Sequence, residues 1–147
     1  MHSPPAPHGI SHLPTLLRSM SPVCNQGVYV FATLPVGTAI NPQHIIASIR
    51  EPEGLSVVLA EADALRLGLP ILFRAAWLTL QVHSDLQAVG LTAAFATALG
   101  QAGISCNVVA GAHHDHLFVP HAQAGAALAA LDSLRALQQA AAGAPPP

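Results

Sequence analysis

The run from Arg74 to Pro120, RAAWLTLQVHSDLQAVGLTAAFATALGQAGISCNVVAGAHHDHLFVP, decides the fold. Ala76, Leu78, Leu80 and Val82 alternate with Trp77, Thr79, Gln81 and His83, the period of a strand with one face in the core and one mixed. Ser84 and Asp85 are short polar residues suited to capping a helix. Leu91, Phe95 and Leu99 then recur every fourth residue until Gly103, which predicts an amphipathic helix entered at Ser84–Asp85. A second alternation sets Ile104, Cys106, Val108 and Ala110 against Ser105, Asn107 and Val109. A turn over 111–115 leads into a third short strand at His116–Val119, and the alanine-rich run Ala122 to Ala140 reads as a second helix. The order is βαββα, most of a split βαβ unit.

Upstream, Leu13 to Met20 predicts a short helix with Pro14 in its first turn, and 28–33 a strand between Gly27 and Pro35. The turn-rich 35–43 reads as a loop, His44 to Arg50 as a strand, and Leu55 to Ala60 as a strand running into a small helix, Ala62 to Leu67. This half resembles a worn copy of the second: GVYVFATLP can be laid on GISCNVVAG, and LSVVLAEADAL on HLFVPHAQAGA. Neither copy is complete, so the two are expected to lend strands to each other within one cooperative body. The expected divisions are a disordered tail at 1–11, units at 12–70 and 71–139, and a second disordered tail at 140–147.

The runs HSDLQAVGLTAA, GISCNVVAG and HDHLFVP, with YVFATLP from Tyr29 and REPEGLSVVL from Arg50, resemble a family of small bacterial ACT-domain proteins of uncharacterised function. These look like a detached pair of the amino-acid-sensing domains of aspartokinases, and the resemblance covers roughly residues 12–135. It implies an α+β fold of tandem ACT-like, ferredoxin-like βαββαβ units, with antiparallel sheets and helices on one face.

Among 147 residues, 52% are hydrophobic and 8% charged, and the formal net charge is -2. All five cationic side chains are arginines, so no basic face exists to meet a phosphate backbone, and nucleic acid is not an expected partner. No segment reads as membrane-spanning, and the N-terminus lacks the basic start and apolar core of a secretion signal; a cytoplasmic protein is expected. So sparse a surface charge suggests that apolar exterior is covered by another copy of the chain, as a homodimer or larger assembly. Cys24 and Cys106 are far apart in unlike contexts and read as free thiols.

The candidate ligand site is the strand-to-helix turn Ser84, Asp85, Leu86, Gln87, Ala88, Val89 and Gly90. Unpaired N–H groups at a helix start suit a carboxylate, and Gly90 would let a ligand approach; an ordinary capped helix is the alternative. The resemblance implies an effector amino acid at this turn. Asp85 stands where the family more often has a serine, which adds negative charge beside that site. Asn107, Asp115, Arg50 and Glu51 are further candidates: Asn107 as an amide for an amino acid's head group, and the Arg50–Glu51 pair as a contact from the companion unit. Each also has a plain reading, as an edge polar residue, a turn residue or a solvated ion pair.

His83, His114 and His116 invite a metal reading, but at most His114 and His116 can share a strand face, and two ligands fall short of a structural zinc site; no metal and no cofactor are expected. No phosphate loop, nucleophile elbow or lysine is present, and consecutive His83, Ser84 and Asp85 cannot form a triad, so no enzyme is expected. The expected function is a non-enzymatic regulatory module that binds an amino acid. The alternative is an interaction protein that docks on a partner enzyme without a ligand.

Overall fold

The computed structural model describes Gly9 and residues 11–145. Most of the expected N-terminal tail, and the last two residues of the chain, lie outside the described residues. The chain runs α1 (Leu13–Ser19), β1 (Pro22–Cys24), β2 (Tyr29–Leu34), a 3-10 turn (Pro42–His44), β3 (Ile45–Glu51), β4 (Gly54–Ala60), α2 (Glu61–Arg66) and β5 (Phe73–Leu80). It continues through α3 (Leu91–Gln101), β6 (Asn107–Ala110), β7 (Asp115–Pro120), a second 3-10 turn (His121–Gln123) and α4 (Ala124–Ala142).

One antiparallel sheet of seven strands joins both halves, in the order β3-β4-β2-β5-β7-β6, with β1 also paired to β5. β5 is the shared element. Its first residues pair with β2, Phe73 with Phe31 and Ala75 with Tyr29. Its last residues pair with β1, Leu78 with Cys24 and Leu80 with Pro22. On its other side it pairs with β7 from Ala75–Pro120 to Leu80–Asp115. Two ferredoxin-like sets of four strands therefore overlap at β5: β1-β5-β7-β6, and β5-β2-β4-β3.

This arrangement identifies the lent strands. The α1–β1 segment precedes the first unit in sequence but completes the second, with Leu16, Leu17 and Met20 buried in the core beneath α3 and α4. The first unit has only a loop and a 3-10 turn between β2 and β3 where the second has α3. By position in the sheet β2 is the counterpart of β5, and β3 of β6. The alignment of GVYVFATLP with GISCNVVAG is thus displaced by one strand, because period-two alternation carries no information about which strand it aligns to. The pairing of LSVVLAEADAL with HLFVPHAQAGA does match β4–α2 with β7 and the turn into α4.

All the helices lie on one face. There, a larger apolar cluster is built around Leu78, Leu80, Phe95, Leu99, Leu117 and Leu131, and a smaller one around Val30, Leu59 and Ala64. Arg74, on the same face of β5, marks the seam between them: its Nε donates to Glu61 Oε2 at 2.6 Å, and its Nη1 lies 3.3 Å from His121 Nδ1. The hydrogen bond to Glu61 raises the pKa of Arg74. Phe95 is fully buried, and removing its ring from water contributes about 2–3 kcal/mol. The opposite face carries an aromatic cluster, with Phe118 and Ala75 buried among Tyr29, Phe31, Phe73, Trp77, Ile46 and Val109.

Candidate functional site

β5 ends at Leu80, and the chain then turns through 81–90 before α3. Asp85 Oδ1 accepts the Gln87 N–H at 2.8 Å, and Asp85 O accepts the Ala88 N–H at 2.9 Å. This side-chain turn competes with helix formation, so α3 starts at Leu91 instead of at the predicted Ser84–Asp85 cap. Gly90 is the N-cap, at φ 100°, where a side chain would be strained, and a Cβ there would come within 2.7 Å of Leu13 Cδ2. It is a packing and turn glycine. It brings no capping side chain, and among the described residues no side chain caps the N–H groups of Leu91, Thr92 and Ala93; the first backbone bond of the helix is Ala94 N–H to Gly90 O at 2.9 Å.

A small cavity of about 90 Å³ opens at this helix start. Its polar lining is Ser84, Asp85, Thr92 and Asp115; Leu86, Ala88, Leu91 and Ala110 complete it. Asp115 is 9% exposed, and Ser84 Oγ donates to its Oδ2 at 3.4 Å. The chain at Gly9 packs directly on the same turn, where a Cβ would lie 2.7 Å from Asp85 N.

Of the residues singled out in the sequence, Ser84, Asp85, Leu86, Ala88 and Asp115 meet around this cavity. Gln87 and Val89 face solvent, Val89 being 83% exposed. Asn107 pairs with Phe118 and so lies on the aromatic face, away from the cavity. Arg50 and Glu51 sit at the hairpin end of β3, on the first unit's outer edge, where Glu51 accepts the Ser56 hydroxyl. The structure does not bring Asn107, Arg50 or Glu51 to the helix start.

The histidines divide. His83 and His113 rings stand 5.3 Å apart, and His114 Nδ1 is 3.4 Å from Val82 O. Among the described residues, no group of three or more His, Cys, Asp or Glu side chains is placed to hold a metal ion. His116 instead belongs to a hydrogen-bonded relay on the aromatic face. Trp77 Nε1–H donates to His116 Nδ1 at 3.0 Å, Thr79 Oγ1 lies 3.2 Å from the same nitrogen, and Asn25 Nδ2 donates to Thr79 Oγ1 at 2.9 Å. An indole nitrogen can only donate, so Nδ1 is the acceptor and the ring proton resides on Nε2. Burial lowers the His116 pKa, with repulsion from His114 adding to it and Asp115 opposing it. The alternation of β5 had already put Trp77 and Thr79 on the face away from the helices. Their meeting with His116 depends on the β5–β7 register, which the sequence does not print.

Two ACT-domain models match the chain, over residues 8–76 and 73–133. A protein of unknown function from Vibrio cholerae, described as a possible transport protein, is 46% identical over 84% of this chain and 95% of its own, with a TM-score of 0.72. The chain belongs to the ACT-domain family. ACT domains are typically regulatory, ligand-binding, non-catalytic modules, and this protein is a tandem of them. The tandem ACT fold is shared, at 11% identity and a TM-score of 0.56, with the ligand-free regulatory subunit of aspartate kinase from Thermus thermophilus, over 79% of this chain and 98% of that one. It is also shared with a protein from Agrobacterium tumefaciens at 19% identity and a TM-score of 0.61, over 79% and 89% of the two chains. No curated protein matches the ACT tandem by sequence. Among the described residues, no helix is long and apolar enough to cross a membrane.

Proposed function

We propose that this tandem ACT protein is a non-enzymatic regulatory module that binds a free amino acid at the start of α3. What carries this reading is the union, around one cavity, of two opposite complements. The uncapped N–H groups of Leu91, Thr92 and Ala93, with the positive end of the helix dipole, suit an α-carboxylate. The half-satisfied, nearly buried carboxylate of Asp115, with Ser84 beside it, suits an α-ammonium. A zwitterion fits both at once. The cavity has the liquid volume of about three water molecules, room for the head group of an amino acid whose side chain extends past Leu86.

Ser84, Leu86 and Ala88 then form one wall, Asp85 shapes the turn through its bond to Gln87, and Gly90 fixes the direction of α3. Gln87 and Val89 are left for contacts from the companion copy of a homodimer, for which exposed Val89 and Leu86 supply apolar surface. Arg50 and Glu51 of such a companion, or Asn107, could reach a ligand only across that interface. Binding would shift the population of assembled or partner-competent states by the ligand's differential affinity for them. Calorimetric titration with each amino acid tests the proposal: saturable binding by one or a few supports it, and binding by none removes it.

The second reading, docking on a partner enzyme without a ligand, is favoured by the groove between α3 and α4. Ala98, Ala102, Ala130 and Leu134 line it, and Leu137 stands 68% exposed at its rim.

A further inference from the structure

The face of the sheet turned away from the helices carries a second concavity, of about 210 Å³, unconnected with the amino-acid reading above. It lies between the two outer strands of the sheet. Ile45, Ile46 and Ala47 of β3 form one side, and Trp77, Phe118 and Val109 with His116 form the other. β3 and β6 end opposite edges of the strand order, so the sheet must curl for one hollow to touch both. A β-bulge between Ile45 and Ala47 adds a residue to β3 there, and the extra residue turns both Ile46 and Ala47 toward the aromatic cluster, where strict alternation would have sent one of them to the other face.

The lining is apolar except for one group. The relay from Asn25 through Thr79, and the Trp77 indole, hold the His116 imidazole in one tautomer, with Nδ1 occupied and the proton on Nε2. Among the described residues, Nε2 has no hydrogen-bond partner. Gly111 lies against that ring edge, where a Cβ would come within 2.9 Å of His114 O and 3.1 Å of Nε2, so any side chain there would crowd the donor. A neutral, oriented N–H set in an apolar wall discriminates by chemistry: it donates to a carbonyl oxygen, and the apolar wall gives a full anion little compensation for lost water.

We propose that this cleft binds a neutral, single-ring-sized apolar molecule bearing one carbonyl acceptor, with the oxygen on His116 Nε2–H and the ring between Trp77 and the Ile46–Val109 pair. The volume supports the size class, since an apolar cavity of about 150 Å³ holds benzene.

The chain has one tryptophan, so the Trp77 indole N–H gives a single cross-peak in a ¹⁵N–¹H spectrum of the full-length protein. Acetophenone is the probe. α-Methylstyrene, of the same shape with the carbonyl oxygen replaced by CH₂, and benzoate are the comparisons. Acetophenone is expected to shift the cross-peak saturably, with α-methylstyrene and benzoate about fivefold weaker or more. Ala47→Phe, which fills the cleft from the edge strand β3 on the side opposite the relay, is expected to abolish the shift. No saturable shift by acetophenone overturns the proposal, as does a shift unchanged in Ala47→Phe. Equal binding of α-methylstyrene overturns the assigned acceptor. A cross-peak that moves with protein concentration alone would make the cleft an interface between copies and would also overturn it.

Discussion

Asp115 and His116 are consecutive residues of β7 that serve opposite faces of the sheet: Asp115 turns toward Ser84 at 3.4 Å beneath the helices, and His116 toward Trp77 at 3.0 Å among the aromatic rings. One strand thus carries an acid into the proposed amino-acid site and a neutral imidazole into the aromatic cleft.

His116 has a folded pKa below its ordinary value of 6.5, so the unfolded chain takes up its proton first as pH falls. Its contribution to stability is complete above about pH 6.5 and is lost as pH drops toward the folded value. Urea midpoints measured between pH 7.5 and pH 5 should therefore fall more steeply in the wild type than in His116→Gln. Parallel curves would contradict the buried neutral ring.

Leu16 lies in a segment that precedes the first unit yet is fully buried in the core of the second. Leu16→Ala should cost about 2–5 kcal/mol and lower the single melting transition of the whole molecule. A change confined to a minor early transition, with the rest unmoved, would mean that α1 and β1 do not complete the second unit.

Gly90 combines φ 100° with close contact to Leu13. Gly90→Ala should destabilise the protein by about 1–2 kcal/mol, chiefly through the backbone conformation, since the Leu13 methyl can move aside. Chemical denaturation of the variant measures this, and an unchanged midpoint would show that the turn before α3 is held differently.

Cys106 is half-buried on β6's approach, and burial pushes its thiol up to about 11, whereas Cys24 is exposed on β1. Iodoacetamide at pH 8 should modify Cys24 first, with Cys106 reacting only after unfolding, as mass spectrometry of timed samples would show. Equal rates would contradict the placement of β6.

The long stretch from Arg74 to Pro120 was legible because periodicity records which face each residue takes. Leu78 and Leu80, like Phe95 and Leu99, are buried where their spacing put them. What the residues could not record is pairing across distance. That β5 is shared by two overlapping sets of strands, and that β1 fills the second set, follows from contacts between segments far apart in the chain. The helix starts later than its cap residues predict for a local reason: Ser84 and Asp85 have the chemistry of caps, but Asp85 Oδ1 accepts from Gln87 two residues ahead, and the chain needs Gly90 before it can coil. The same displacement moved the unpaired amides from Leu86 to Leu91, while Asp115, reached through the β5–β7 register, remained beside them.

The most direct measurement is the melting temperature of the wild type and of Asp115→Asn with each amino acid in turn, after circular dichroism has established that the variant is folded. One or a few amino acids should raise the wild-type midpoint by about 3–5 °C at ten times their Kd, with affinity at least tenfold weaker in Asp115→Asn. No shift from any amino acid, or an equal shift in both proteins, would contradict the amino-acid site at α3.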